Sequence, residues 1–172
     1  MSKRESRNTI IDKVAQYLHW LTIPKQEFGN MPICPYLDTE MRNDMLYIDI
    51  WYPTDNSFMD LMESFLLSSK NSALIVCPNT HTIDYSEVSR KTIQSQITDL
   101  LRKNPNTDYL KCMIFSPYED FEVAGVKTRS KAPYFLINIA PTQQLGKAHK
   151  DLTKTKYFDS FTEEQKSKLN VK

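Results

Sequence analysis

Ala73-Leu74-Ile75-Val76-Cys77, closed by Pro78, decides the fold class. An unbroken apolar run of strand length has no polar side to show to water, so the strand it forms must be covered on both faces. Proline cannot donate to a sheet ladder and marks where the pairing stops. Upstream, Ser57 to Ser69 reads as a helix that buries Phe58, Leu61, Met62, Phe65 and Leu66, with Asp55 or Asn56 placed to cap it. Before it, Met45 to Tyr52 alternates: Leu46, Ile48 and Ile50 point one way, and Tyr47, Asp49 and Trp51 the other. Downstream, Asp84 and Glu87 can start a helix that runs to about Lys103 with Val88, Ile93, Ile97, Leu100 and Leu101 inward. Strands are expected at Tyr109 to Phe115, more briefly at Phe121 to Val126, and at Tyr134 to Ala140. A short helix is expected at Thr142 to His149.

At the start, Ile10, Val14, Tyr17, Leu18 and Leu21 recur at helical spacing. Thr9 and Asp12 can form a capping box, and Pro24 stops the helix. Lys25 to Asn43 is rich in turn residues and reads as a long loop, of a length that is often functional. The order α-β-α-β-α-β-(β)-β-α predicts an α/β fold: one domain over residues 1–150, with a mixed, mainly parallel sheet of four to six strands and packed helices. A two-layer ferredoxin-like α+β arrangement is the competitor. Residues 151–172 read as a charged extension, marginally helical around Thr162 to Leu169.

The chain has 172 residues and a formal net charge of +1, with 40% hydrophobic and 25% charged residues. A domain of this length can bury about 70% of its unfolded surface. The near-neutral balance removes the electrostatic basis for a generic nucleic-acid or membrane-surface binder. The only glycines are Gly29, Gly125 and Gly146, so neither glycine-rich phosphate loop can be written. The polar start predicts no secretory leader, and no window suits a bilayer span. Cys34, Cys77 and Cys112 are odd in number and form no CxxC, which predicts reduced thiols in a cytoplasm and no disulfide or metal framework.

Four expected strands end in X-Pro: Tyr52-Pro53, Cys77-Pro78, Ser116-Pro117 and Ala140-Pro141. If the first three are parallel, their exits share one rim, where open α/β sheets usually bind ligands. The last strand can be antiparallel, because only a short β segment separates it from its predecessor. Three motifs line up with this plan: Ile33-Cys34-Pro35-Tyr36, Phe115-Ser116-Pro117-Tyr118-Glu119-Asp120-Phe121 and Ala132-Pro133-Tyr134-Phe135-Leu136-Ile137-Asn138. Their order and spacing, over about Val14 to Lys150, resemble the bacterial family called domain of unknown function 1415. That family shows L-C-P-[FW], then F-H-P-x-Y-x-F, then S-P-Y-P followed by a histidine. The resemblance implies an architecture and a candidate surface, and no established activity. The family's two histidines fall on Ser116 and Asn138, and its nearby arginine falls on or near Pro141. Serine and asparagine hydrogen-bond but cannot replace a base with a pKa near 7, which weakens the case for shared chemistry.

Cys34, flanked by prolines, is a candidate nucleophile or redox thiol, with a small apolar plug as the plain alternative. His81, in the loop leaving the most buried strand, is a candidate base, and Asn79, Thr80 and Thr82 could orient a ligand. Ser116, Tyr118, Tyr134 and Asn138 complete the expected rim. Lys127, Arg129 and Lys131 could hold a phosphate or carboxylate. Scattered histidines argue against a zinc site, and no cofactor is expected. Asp49, inside a strand, is a carboxylate of interest or a solvent-facing group.

Three functions follow as expectations. The preferred one is a cytoplasmic protein that binds a small anionic ligand or a protein partner at the rim. The second is a cysteine-dependent hydrolase or redox enzyme, with Cys34 as nucleophile, His81 as base and Arg129 as anion holder. The third is a virus-encoded accessory factor acting on a host protein, suggested by 16 Lys against 6 Arg and by scarce glycine.

Overall fold

Leu74 and Ile75 are both 0% exposed although they point to opposite faces of one strand. The run that decides the fold is therefore the centre of a sheet covered on both sides. Full burial of such side chains contributes about 1.5–3 kcal/mol each. The computed structural model describes residues 4–78, 89–128 and 130–171. In chain order these form α1 (Arg7–Thr22), α2 (Pro35–Arg42), β1 (Leu46–Ile50), α3 (Phe58–Leu67), β2 (Ser72–Cys77), α4 (Arg90–Lys103), β3 (Leu110–Phe115), β4 (Glu122–Val123), β5 (Val126–Lys127), β6 (Phe135–Pro141), α5 (Thr142–Leu152) and α6 (Glu163–Lys168). No helix among the described residues is long and apolar enough to cross a membrane.

The main sheet has the order β1-β2-β6-β3. β1 and β2 pair in parallel, and β6 runs antiparallel to both β2 and β3. Three strands thus point one way and the last points back. The β4–β5 hairpin forms a separate two-stranded sheet. It occupies the segment expected as one short strand, because Ala124 and Gly125, at φ 50° and 92°, reverse the chain there.

One face buries Leu46, Ile50, Leu74, Val76, Phe115 and Leu136 against α1, the segment after it and the C-terminal residues. The other buries Ile75, Ile114 and Ile137 against Phe58, Met62 and Phe65 of α3 and Ile93, Ile97 and Leu101 of α4. Helices on both faces exclude the two-layer alternative and bear out the α/β class.

Local signals explain the ends. Ser6 caps α1 by accepting from the Thr9 N–H, in place of the expected Thr9–Asp12 pair. Ser57 and Asp60 form a capping box at α3, one residue beyond the expected caps. Ser89 caps α4; the expected start at Asp84 and Glu87 lies outside the described residues. Two expectations are corrected. The stretch taken as a long loop contains α2, because Pro35 sits at the first helical position, where its missing N–H costs nothing. Residues 151–172 are not a free charged extension: Tyr157, Phe158 and Phe161 are at most 5% exposed. Phe28 lies 5.2 Å from the Tyr157 ring and 5.8 Å from that of Phe161, so the tail closes the core of the first face.

Candidate functional site

The directions of the strands put the exits of β1, β2 and β3 on one rim. β6 enters there, since Phe135 lies opposite Cys77 and Leu136 opposite Phe115. Ser116, Tyr118 and Tyr134 therefore share a rim as expected, while Pro141 falls at the other end. The side-chain hydroxyls of Ser116 and Tyr134 are engaged within the fold. The Ser116 hydroxyl accepts from the Tyr118 N–H at 3.1 Å, and the Ser116 carbonyl accepts from the Ala132 N–H at 3.1 Å. Tyr118 packs its ring 5.9 Å from Phe135. The Tyr134 hydroxyl donates to Glu5 at 2.6 Å, and Lys13 holds the same carboxylate. These two contacts keep the Glu5 carboxyl below its ordinary range.

The N-terminal strand of contacts continues with Arg4, whose guanidinium lies 3.3 Å from the Tyr52 ring centre and pairs with Asp55 at 2.9 Å. Asp49 takes Arg7 at 3.2 Å and the Tyr47 hydroxyl at 3.1 Å. Lys131 is exposed beside this rim, and Lys127 ends β5. Asn79, Thr80, His81, Thr82 and Arg129 lie outside the described residues.

Asn138 is not on the rim. It is 3% exposed, in mid-strand opposite Leu74 and Met113, and its Oδ1 has no hydrogen-bond partner among the described residues. Cys34 lies in the helical layer at the N-cap of α2, partly buried against the core of the first face. Burial pushes its thiol up, and the Leu37 N–H offsets a smaller part. That is the reverse of what an activated thiolate needs. Burial does the same to Cys77 and Cys112. Tyr17 lies between Phe115 and Cys34: its ring meets Phe115 at 6.1 Å, and its hydroxyl neighbours Ser130 and Cys34.

At the opposite end of the sheet lies a feature the sequence did not single out. A cleft of about 530 Å³ opens between α2 and α5, within the size range of small-molecule sites. Tyr36 and Glu40 line it from one wall; four residues apart on α2, they share a helix face. Gln144, Ala148 and Leu152 line it from α5 with the same spacing. The Tyr36 hydroxyl donates to Gln144 Oε1 at 2.9 Å and bridges the walls.

Glu40 is 6% exposed and accepts from the Ser72 hydroxyl at 3.3 Å. Burial raises its pKa, while Ser72 and Asn71 offset part of that rise. The Tyr36 phenol is pushed up to about 12, first by burial and then by the charge of Glu40. Met31 and Pro35 supply apolar lining. At the mouth, Asp151 pairs with Lys154 at 2.8 Å, which together with Lys147 keeps its carboxyl below the ordinary range. A second depression of about 770 Å³, between Lys70, Tyr109 and Thr142, shares Asn71 and Gln144 with the cleft.

Two signals could have pointed here: proline at a helix start, and a carboxylate in register with Tyr36 and next to the buried Leu37 face. Comparison of the chain with protein-family models, curated proteins and solved structures finds no match.

Proposed function

We propose that this protein binds a small molecule in the cleft between α2 and α5. The observation that carries the reading is Glu40: a carboxyl kept nearly out of water at the base of a cavity large enough for a ligand. Burying an ionisable group without a full set of partners is costly, and such groups cluster at sites that use them. The walls offer what a binding site needs, an apolar body from Met31, Pro35, Ala148 and Leu152 and a few placed polar groups.

This moves the expected ligand from the strand-exit rim to the other end of the sheet. The rim reading rests on Ser116, Tyr118 and Tyr134, on the exposed Lys127 and Lys131, and on residues outside the described set. The cysteine-enzyme reading meets a thiol that burial holds protonated. The accessory-factor reading rests on amino-acid composition alone, and the resemblance to the family of unknown function on its three motifs. A cytoplasmic location belongs to the same proposal, supported by three unpaired thiols.

The test is a thermal-shift screen of metabolite classes on wild type and on Ala148→Trp, which fills the cleft. A ligand that prefers the folded chain raises its melting temperature. A compound that stabilises wild type and not the filled variant is the expected result. Equal stabilisation of both would put the site elsewhere, and a screen without any stabilising compound would remove the ligand-binding reading.

A further inference from the structure

We infer that the ligand of the α2–α5 cleft carries an ammonium group, seated against Glu40, on an apolar body that lies along Pro35, Ala148 and Leu152. The inference rests on the ligand-binding reading above and adds the chemical class. An ionised carboxylate offers about four lone-pair positions. The donors described at Glu40 are the Ser72 hydroxyl and the Asn71 side chain, which leaves acceptor capacity at the base of the cleft. The Tyr36 oxygen gives its proton to Gln144 and, with Ser72 beside it, keeps one lone pair for the same space. The deep end therefore carries one formal negative charge with acceptor capacity left over.

The cations nearby do not cancel it. Lys147, Lys150 and Lys154 all act on Asp151 at the mouth, and Lys70 is held by Asp44 at 2.9 Å and by the Asp44 carbonyl at 2.6 Å. An incoming ammonium supplies both missing terms, a positive charge and donors for the open lone pairs, in a place where water competes weakly. A carboxylate or phosphate ligand would meet the like charge of Glu40, with the Gln144 amide N–H groups and Lys147 as its donors.

The cleft size and apolar walls make benzylamine a suitable probe, with benzyl alcohol and benzoate as its neutral and anionic counterparts. Binding of each to the full chain is followed at neutral pH by two-dimensional amide NMR, on wild type, Glu40→Gln and Ala148→Trp. Benzylamine is expected to bind wild type at least tenfold more tightly than benzyl alcohol, with shifts centred on α2 and α5. Glu40→Gln should remove that preference, and Ala148→Trp should abolish binding of the amine. Comparing the three probes on wild type needs no variant to fold. If benzoate or benzyl alcohol binds as well as benzylamine, or if Glu40→Gln keeps the preference, the ammonium assignment is wrong while the cleft remains a ligand site. If no probe binds the cleft, the assignment and the ligand-binding reading fall together.

Discussion

The Tyr36 hydroxyl donates to Gln144 Oε1 across 2.9 Å, joining residues 108 apart in the chain and tying α2 to α5. The bond does two things at once. It fixes the spacing of the cleft walls, and it uses the Gln144 oxygen, so the phenol oxygen keeps its acceptor side toward the cavity. A neutral hydrogen bond of this kind contributes about 1 kcal/mol. Tyr36→Phe and Gln144→Ala should each lose about that much in urea unfolding. The double variant should lose less than the sum, with a coupling of about 0.5–1 kcal/mol. Strict additivity would mean that the two side chains do not hold each other.

Glu40 gives a prediction with a definite sign. Its carboxyl has a higher pKa folded than unfolded, so the folded chain holds the proton more tightly. The cost of its charge is absent below the unfolded pKa, grows as pH rises toward the folded value, and stays constant above it. Glu40→Gln should therefore melt higher than wild type near neutral pH, with the gap closing as pH falls through the carboxylate range. Melting curves across that range decide it. A gap that widens on acidification would reverse the assignment.

The C-terminal aromatics should behave as core. Phe158→Ala or Phe161→Ala is expected to cost about 3–5 kcal/mol, as for large aromatics removed from an interior. A chain ending at residue 150 should lose the cooperative transition, read by calorimetry. An unchanged transition would show that the sheet holds without its tail.

Gly29 is the second lock on that tail. It sits at φ +64°, and a Cβ there would stand 2.0 Å from the Lys156 carbonyl oxygen. The Ser160 hydroxyl, nearby, donates to the Glu27 carbonyl. Gly29→Ala meets both an unfavourable backbone region and a rigid obstacle, and should cost about 2–4 kcal/mol by denaturant unfolding. A loss under about 0.5 kcal/mol would mean the tail can move aside.

Thiol chemistry gives the last prediction. Burial raises all three cysteines, so the native chain at neutral pH should react slowly with a disulfide reagent. All three should react promptly once it is denatured. Rapid native modification at Cys34 would restore the cysteine-enzyme reading.

How far the sequence could be read depended on whether a residue's role is set locally. β2 was legible because an apolar run without a polar side leaves no alternative to cover on both faces. β1 is legible for a different local reason, the period-two placing of Leu46, Ile48 and Ile50 on one side. α2 is hidden because Lys25 to Asn43 is rich in turn residues, although proline suits the first position of a helix. Tyr157, Phe158 and Phe161 were missed because they follow no helical or strand period and stand among lysines, where composition suggests solvent. The rim was legible in part, since Ser116, Tyr118 and Tyr134 do meet there. The cleft was not, because its acid acquires meaning only when Ser72 and Gln144 are brought beside it from elsewhere in the chain.

The place of β6 has a consequence for how the molecule is made. Among the described strands it is the last to leave the ribosome, and it belongs between β2 and β3. Until residue 141 has emerged, both of those apolar strands lack their shared neighbour and expose unpaired edges that invite pairing with other chains. Nascent chains halted anywhere before that point should stick to chaperones or to each other, and the four-stranded sheet can close only after residue 141 has been synthesised.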